Sequence, residues 1–148
     1  MRRIVGAWKE RGLRRLAVWA AELVVETLPR PDSACLAFVP GDADRRLRRG
    51  HHAAERLAEA LAHAWELGLE PLLVRARGSP RQRGLTRTER RQNVAAGFLA
   101  TGRVPATVTL VDDVYTTGAT ANAAASALRK GGARQVQIVT FARTIRIS

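Results

Sequence analysis

The run Val108-Thr109-Leu110-Val111-Asp112-Asp113-Val114-Tyr115-Thr116-Thr117-Gly118-Ala119-Thr120 constrains the fold of this chain more than any other stretch. An apolar, β-branched segment leads into two adjacent carboxylates, then into a hydroxyl-rich turn with one glycine. An alanine-rich, helix-like run from Ala119 to Lys130 follows. A strand buried on both faces of a parallel sheet reads as such a near-continuous apolar run, so residues 108–111 predict a core strand.

The carboxyl end of that strand would deliver Asp112 and Asp113 to the sheet edge where open α/β folds bind ligands. Successive strand side chains point to opposite faces, so the two carboxylates cannot serve one atom equally. One can face a ligand while the other reaches over the edge or acts through a metal-bound water. The turn then presents backbone N–H groups and the hydroxyls of Thr116, Thr117 and Thr120 at a helix start. Free N–H groups and the positive end of the helix dipole make a phosphate cradle there. Gly118 allows close backbone approach to an anion. Carboxylates for sugar hydroxyls beside amides for a phosphate describe a ribose 5-phosphate pocket. A plain capped loop, with Thr116 or Thr117 as N-cap, accounts for neither the doubled acid nor the doubled threonine.

The remaining chain reads as alternating helices and strands. Apolar residues at Leu13, Leu16, Ala17, Ala20, Leu23, Val24 and Leu28 recur at helical spacing, and Pro29 and Pro31 end that helix. Residues 34–39 predict the first core strand, with Cys35 as a small buried hydrophobe. Pro40-Gly41-Asp42 is a turn, followed by the basic stretch 45–50. A helix is expected over 53–67, a short strand over 72–75, an irregular loop over 78–84 and a helix over 88–96. The strand at 108–111 and its helix, closed by Gly131-Gly132, precede a fourth strand at 135–141. Strands alternating with helices imply a parallel sheet with right-handed crossovers.

On these residues the sequence is similar to a known family. The segment from Val111 to Thr120 resembles the phosphoribosyl pyrophosphate (PRPP) signature of type I phosphoribosyltransferases, most closely in the form carried by the ComF-like (competence protein F) branch. The stretch Gln82-Arg83-Gly84-Leu85-Thr86-Arg87-Thr88-Glu89-Arg90-Arg91-Gln92-Asn93-Val94-Ala95-Ala96-Gly97-Phe98 resembles that branch through Gln82, Leu85, Arg90, Asn93 and Phe98. The resemblance implies an α/β fold: a single phosphoribosyltransferase-like domain over 1–148, with an N-terminal helical hood (1–32) and a parallel sheet flanked by helices (33–144). It further implies phosphoribosyl binding by Val114, Tyr115, Thr116, Thr117, Gly118, Ala119 and Thr120, with Asp112 and Asp113 as the catalytic pair. Pyrophosphate binding falls to Pro40, Gly41 and Asp42. A flexible loop carries Arg77, Arg81, Gln82 and Arg83, with arginines able to stabilise the charge of departing pyrophosphate. Magnesium is implied as the cofactor, carried by PRPP and water-bridged to Asp112 or Asp113, with no direct protein ligand. The partners implied are PRPP, a small-molecule nitrogen acceptor and a second copy in a homodimer.

Two departures stand out. Members of the branch often start with a cysteine-rich zinc module, whereas Cys35 is the one cysteine here. The branch's Arg-Gly-Phe-Asn-Gln segment appears as Arg49-Gly50-His51-His52-Ala53. His51, His52 and His63 form no HExxH pair.

Charge supplies the rival reading. The chain carries 25 Lys and Arg against 13 Asp and Glu, a formal net charge of +12, and Lys9 and Lys130 are its lysines. That balance favours polyanions, and ComF-like proteins are associated with DNA uptake. Single-stranded DNA along 45–49 and 75–91, with the pocket sensing a nucleotide or vestigial, is the alternative. Against it stands the lack of interleaved aromatics in those stretches. A 148-residue chain that is 46% hydrophobic can bury a core. No run approaches the ~20 apolar residues of a membrane span, and the single cysteine makes cytoplasmic residence the expectation.

Overall fold

Helix α1 (Arg2–Thr27) runs well beyond the expected segment at its amino end. The computed structural model describes residues 2–41, 53–76, 97–115 and 117–143, without the side chains of 2–11, 13, 114, 115 and 143. The later turns of α1 bury Ala20, Ala21 and Val24, one helical stripe. Strand β1 (Cys35–Phe38) follows, then α2 (Ala53–Trp65) and β2 (Leu73–Arg75). Next come β3 (Phe98–Ala100), β4 (Thr107–Tyr115), α3 (Ala119–Lys130) and β5 (Gln135–Arg143). The helix expected over 88–96 lies outside the described residues.

Strands β1, β4 and β5 form a three-stranded sheet in the order β1-β4-β5. Both pairings are parallel: Cys35 pairs with Val108 through to Phe38 with Val111, and Thr107 with Gln135 through to Tyr115 with Arg143. The segment before β2 lies along the other side of β1. A parallel bridge joins Leu36 to Leu69, the Leu36 amide donates to the Gly68 carbonyl at 2.8 Å, and the Glu70 amide donates to Leu36 at 2.9 Å. The chain thus leaves β1 toward one side and returns through β4 on the other. Right-handed crossovers in opposite directions put their helices on opposite faces. Accordingly, α2 packs with α1 around Leu36, Leu57, Leu61, Trp65, Val111 and Val139. Helix α3 packs its alanines and Leu128 on the other face against Cys35, Ala37, Val108 and Leu110.

The sequence pattern did not predict β3. It pairs antiparallel with β2, Leu73 opposite Ala100 and Arg75 opposite Phe98. A three-residue strand is too short to show a period, and Gly97 and Thr101 beside it carry no strong turn signal. Among the described residues, no helix is long and apolar enough to cross a membrane.

Two local features yield stability predictions. A Cβ at Gly131 would lie 2.6 Å from the Ala100 Cβ and 2.8 Å from the Val104 Cγ2, because the end of α3 presses onto the β3–β4 connection. Gly131→Ala is therefore expected to lower stability by about 1–3 kcal/mol in chemical denaturation. Glu66, just past α2, has φ 52°, in the left-handed region. There Glu66→Gly should raise stability by up to about 1 kcal/mol, since a non-glycine residue pays about that much to sit there.

Candidate phosphosugar site

The point where strand order reverses, between β1 and β4, opens a crevice at the carboxyl edge of a parallel sheet. The last tie between the two strands at that edge is the Val39 amide donating to the Val111 carbonyl at 3.0 Å. Beyond it the chain leaves β1 through Pro40 and Gly41, while β4 continues through Asp112 to Tyr115, paired among the described residues with β5 alone. The expected strand at 108–111 is therefore longer, and the two aspartates stand inside the overhanging end of β4 rather than in the loop after it.

By strand alternation Asp112 follows Val108 and Leu110 onto the α3 face, and Asp113 follows Thr109 and Val111 onto the α1–α2 face. Asp112 is 8% exposed, one of two buried polar side chains among the described residues, and Asp113 is half-buried. The Asp113 amide donates to Asp112 Oδ1 at 3.0 Å. Burial raises the Asp112 pKa from 3.8 to about 6, and the neighbouring Asp113 carboxyl pushes the same way. The Asp113 amide and the Arg75 guanidinium act in the opposite direction. The other buried polar side chain, Thr109, donates its hydroxyl to Ser33 Oγ at 3.0 Å and is structural.

Gly118 is the N-cap of α3, buried, with φ 71°. That left-handed backbone suits glycine, which has no Cβ to clash. No side chain caps the helix, and the Thr117 hydroxyl lies 3.4 Å from the Ala119 amide, long for a hydrogen bond. Thr117 is exposed, and Ala119 and Thr120 are half-buried in the first turn. Val114 and Tyr115 lie in β4, with side chains outside the description. Thr116, Asp42, Arg77, Arg81, Gln82 and Arg83 fall outside the described residues. Pro40 and Gly41 are half-buried in the turn after β1.

Arg75 joins these parts, and it is the arginine of the 75–91 stretch that lies among the described residues. Its Nε donates to the Pro40 carbonyl at 3.1 Å, and its guanidinium carbon sits 4.9 Å from the centre of the Phe98 ring. Its charge also reaches Asp112. The end of β2 is thereby tied to the turn after β1 and to the end of β4. In sequence the signal was a cation directly after the apolar triplet Leu72-Leu73-Val74. Cys35, by contrast, is buried with its thiol pKa raised by desolvation and by Glu70, and is inert packing. Among the described residues, no group of three or more His, Cys, Asp or Glu side chains is placed to hold a metal ion.

No family model matches the sequence. Competence protein F of Haemophilus influenzae is 33% identical over 141 residues, 92% of this chain and 62% of that protein. Competence protein ComFC of Streptococcus pneumoniae is 31% identical over 124 residues, 83% of this chain and 54% of that protein. DNA utilization protein YhgH of Salmonella typhi is 32% identical over 123 residues, 80% of this chain and 52% of that protein. The chain thus spans between 52% and 62% of the length of these curated relatives. Among solved structures, the allosteric regulatory enzyme of purine biosynthesis aligns with a TM-score of 0.60 at 20% identity, over 84% of this chain and 25% of that one. Glutamine PRPP amidotransferase from B. subtilis, complexed with ADP and GMP, aligns with a TM-score of 0.58 at 21% identity, over 87% of this chain and 26% of that one.

Strand order, the crevice and these structural likenesses define the type I phosphoribosyltransferase fold. Within that fold the chain is similar in sequence to the ComF-like competence proteins.

Asp112 gives a prediction independent of activity. Its folded-state pKa, about 6, exceeds its ordinary 3.8, so the folded chain holds the extra proton between those values. This group's contribution to stability is present below the lower value and is lost as pH rises through the upper one. Asp112→Asn should therefore raise stability at pH 7.5 by about 1–2 kcal/mol, after allowance for residual solvation, and flatten the fall between about pH 4 and 6. Thermal melts across that range measure it. Arg75→Met should move the Asp112 titration upward, as read by carboxyl-carbon NMR.

Proposed function

We propose that the chain is a phosphoribosyltransferase that binds PRPP with magnesium and transfers the 5-phosphoribosyl group to a nitrogen acceptor, nucleobase-like or amine. The observation that supports this reading is the strand-order reversal between β1 and β4, where the turn through Gly41 follows β1 and where β4 carries Asp112 and Asp113 toward its end, before the Gly118 start of α3.

In this reading the 5-phosphate sits at the start of α3, on the backbone from Thr116 to Thr120. The N-cap there is a glycine, and no side chain occupies the cap position. Ribose hydroxyls meet Asp112 and Asp113, and pyrophosphate lies against Pro40, Gly41 and Asp42. The acceptor nitrogen attacks the anomeric carbon, the bond to pyrophosphate oxygen breaks, and the acceptor's proton leaves to solvent or to pyrophosphate. Positive charge grows on the ribose ring in between, where ionised carboxylates stabilise it. Asp112 must be ionised to act so, which sets a lower pH limit near its pKa of about 6. Arg75, held by Pro40 and Phe98, keeps the pyrophosphate side of the crevice cationic. Arg77, Arg81, Gln82 and Arg83 are proposed to close over the leaving group. The paired carboxylates are hard oxygen donors of the kind magnesium takes through water, and the ion would neutralise pyrophosphate oxygens.

The second reading, single-stranded DNA binding, is favoured by the +12 charge and by relatives named for competence and DNA utilization. Calorimetric titration of PRPP with magnesium separates the two. The transferase reading expects binding by the native chain and at least about a tenfold loss in an Asp112→Asn, Asp113→Asn double variant, as for two lost polar contacts. It also expects weak dependence on salt. No PRPP binding, together with oligonucleotide affinity that falls steeply as salt rises, would favour DNA.

A further inference from the structure

Along the described part of α1 runs a second apolar stripe, distinct from the one in the core. Leu16 is 52% exposed, Trp19 51% and Leu23 37%, at helical spacings of three and four residues. The stripe continues onto the sheet, since Trp19 meets Phe141 of β5 edge to face with ring centres 5.8 Å apart. Phe141 is itself 38% exposed, and among the described residues β5 is the outer strand of its sheet. Isolated exposed apolar residues are ordinary, but a contiguous helix-and-edge patch with a tryptophan at its centre is the composition of an interface.

The charges around the patch select its occupant. Residues 14–27 hold Arg14 and Arg15 against Glu22 and Glu26, a balanced set in a chain of net charge +12. Elsewhere that net charge opposes the approach of another copy, whereas here it does not. Arg15 immediately precedes Leu16 and Glu22 immediately precedes Leu23, so both flank the stripe on the same side, and both are exposed. At seven residues apart, about 10 Å along the axis, they do not reach each other within one helix. In an antiparallel pair centred on Trp19, each Arg15 faces the Glu22 of the other copy, twice by symmetry.

We propose that the Leu16-Trp19-Leu23 face of α1, with Phe141 at its border, is a self-association surface that takes a second copy of this chain in antiparallel register. The patch is small, so the association is reversible and concentration-dependent. It is independent of the proposed transferase activity.

Sedimentation velocity on the full chain at moderate salt tests it. The native chain is expected to pass from monomer to dimer as concentration rises through the micromolar range. Arg15→Glu alone and Glu22→Arg alone each set like charges together, and each should weaken the dimer by about tenfold or more. Mixing the two variants in equal amounts recreates both opposite-charge pairs and should restore the dimer. Trp19→Ser should weaken it without any change of charge. Thermal melts of each variant check that it folds, which the exposure of the three positions favours. A native chain that stays monomeric overturns the proposal, as does undiminished association of the single variants, which would put the contact elsewhere. Failure of the mixture to recover would overturn the antiparallel register and the proposal with it.

Discussion

The structure depends on β4. It is hydrogen-bonded to β1 on one side and β5 on the other, and it contributes Val108 and Leu110 to one core and Val111 to the other. Burial of those side chains between two helical layers fixes its register, since a slip of one residue would exchange the faces. The same register puts Asp112 at the rim of the apolar core, where desolvation lifts its pKa to about 6. A buried acid with a like-charged neighbour is costly to the fold, and carboxylates placed so are typical of functional sites.

The reversal of strand order beside β4 is the second constraint. It sends α2 and α3 to opposite faces and leaves the crevice between the turn after β1 and the turn after β4 unfilled by a crossover. Arg75 then links the outer strand pair to that crevice through Pro40 and Phe98. In the proposed reading, a site assembled from three strand ends and one helix start would give a phosphorylated sugar separate contacts for each of its charged groups.

Much of this was legible in the sequence. The apolar run at 108–111 and the Gly118 start of a helix announced the strand and the helix after it, and the doubled aspartate marked the residues proposed as the site. The helix starts at Ala53 and Ala119 and the end at Lys130 agree with the expected segments, the last marked by Gly131-Gly132. Three features were not legible. β3 is too short for a period, and its pairing with β2 is set by tertiary contact. β4 continues through Asp112 and Asp113, residues of poor strand propensity, because β5 pairs with it on either side of Asp113, Asp112 with Thr140 and Val114 with Ala142. The stapling of Arg75 depends on the approach of Pro40, which lies 35 residues away in the chain. Trp19 and Trp65, alike in sequence as helical aromatics, diverge: Trp65 is core at 4% exposure, whereas Trp19 is half outside.

The central claim is that one crevice binds a phosphorylated sugar at both its ends. Amide NMR of the isotopically labelled chain, titrated with PRPP and magnesium, tests it most directly. The account predicts concerted shifts at Gly41 and at Gly118 and Ala119, saturating together at one ligand per chain. Shifts confined to arginine-rich stretches, abolished by moderate salt and leaving Gly118 unmoved, would contradict it.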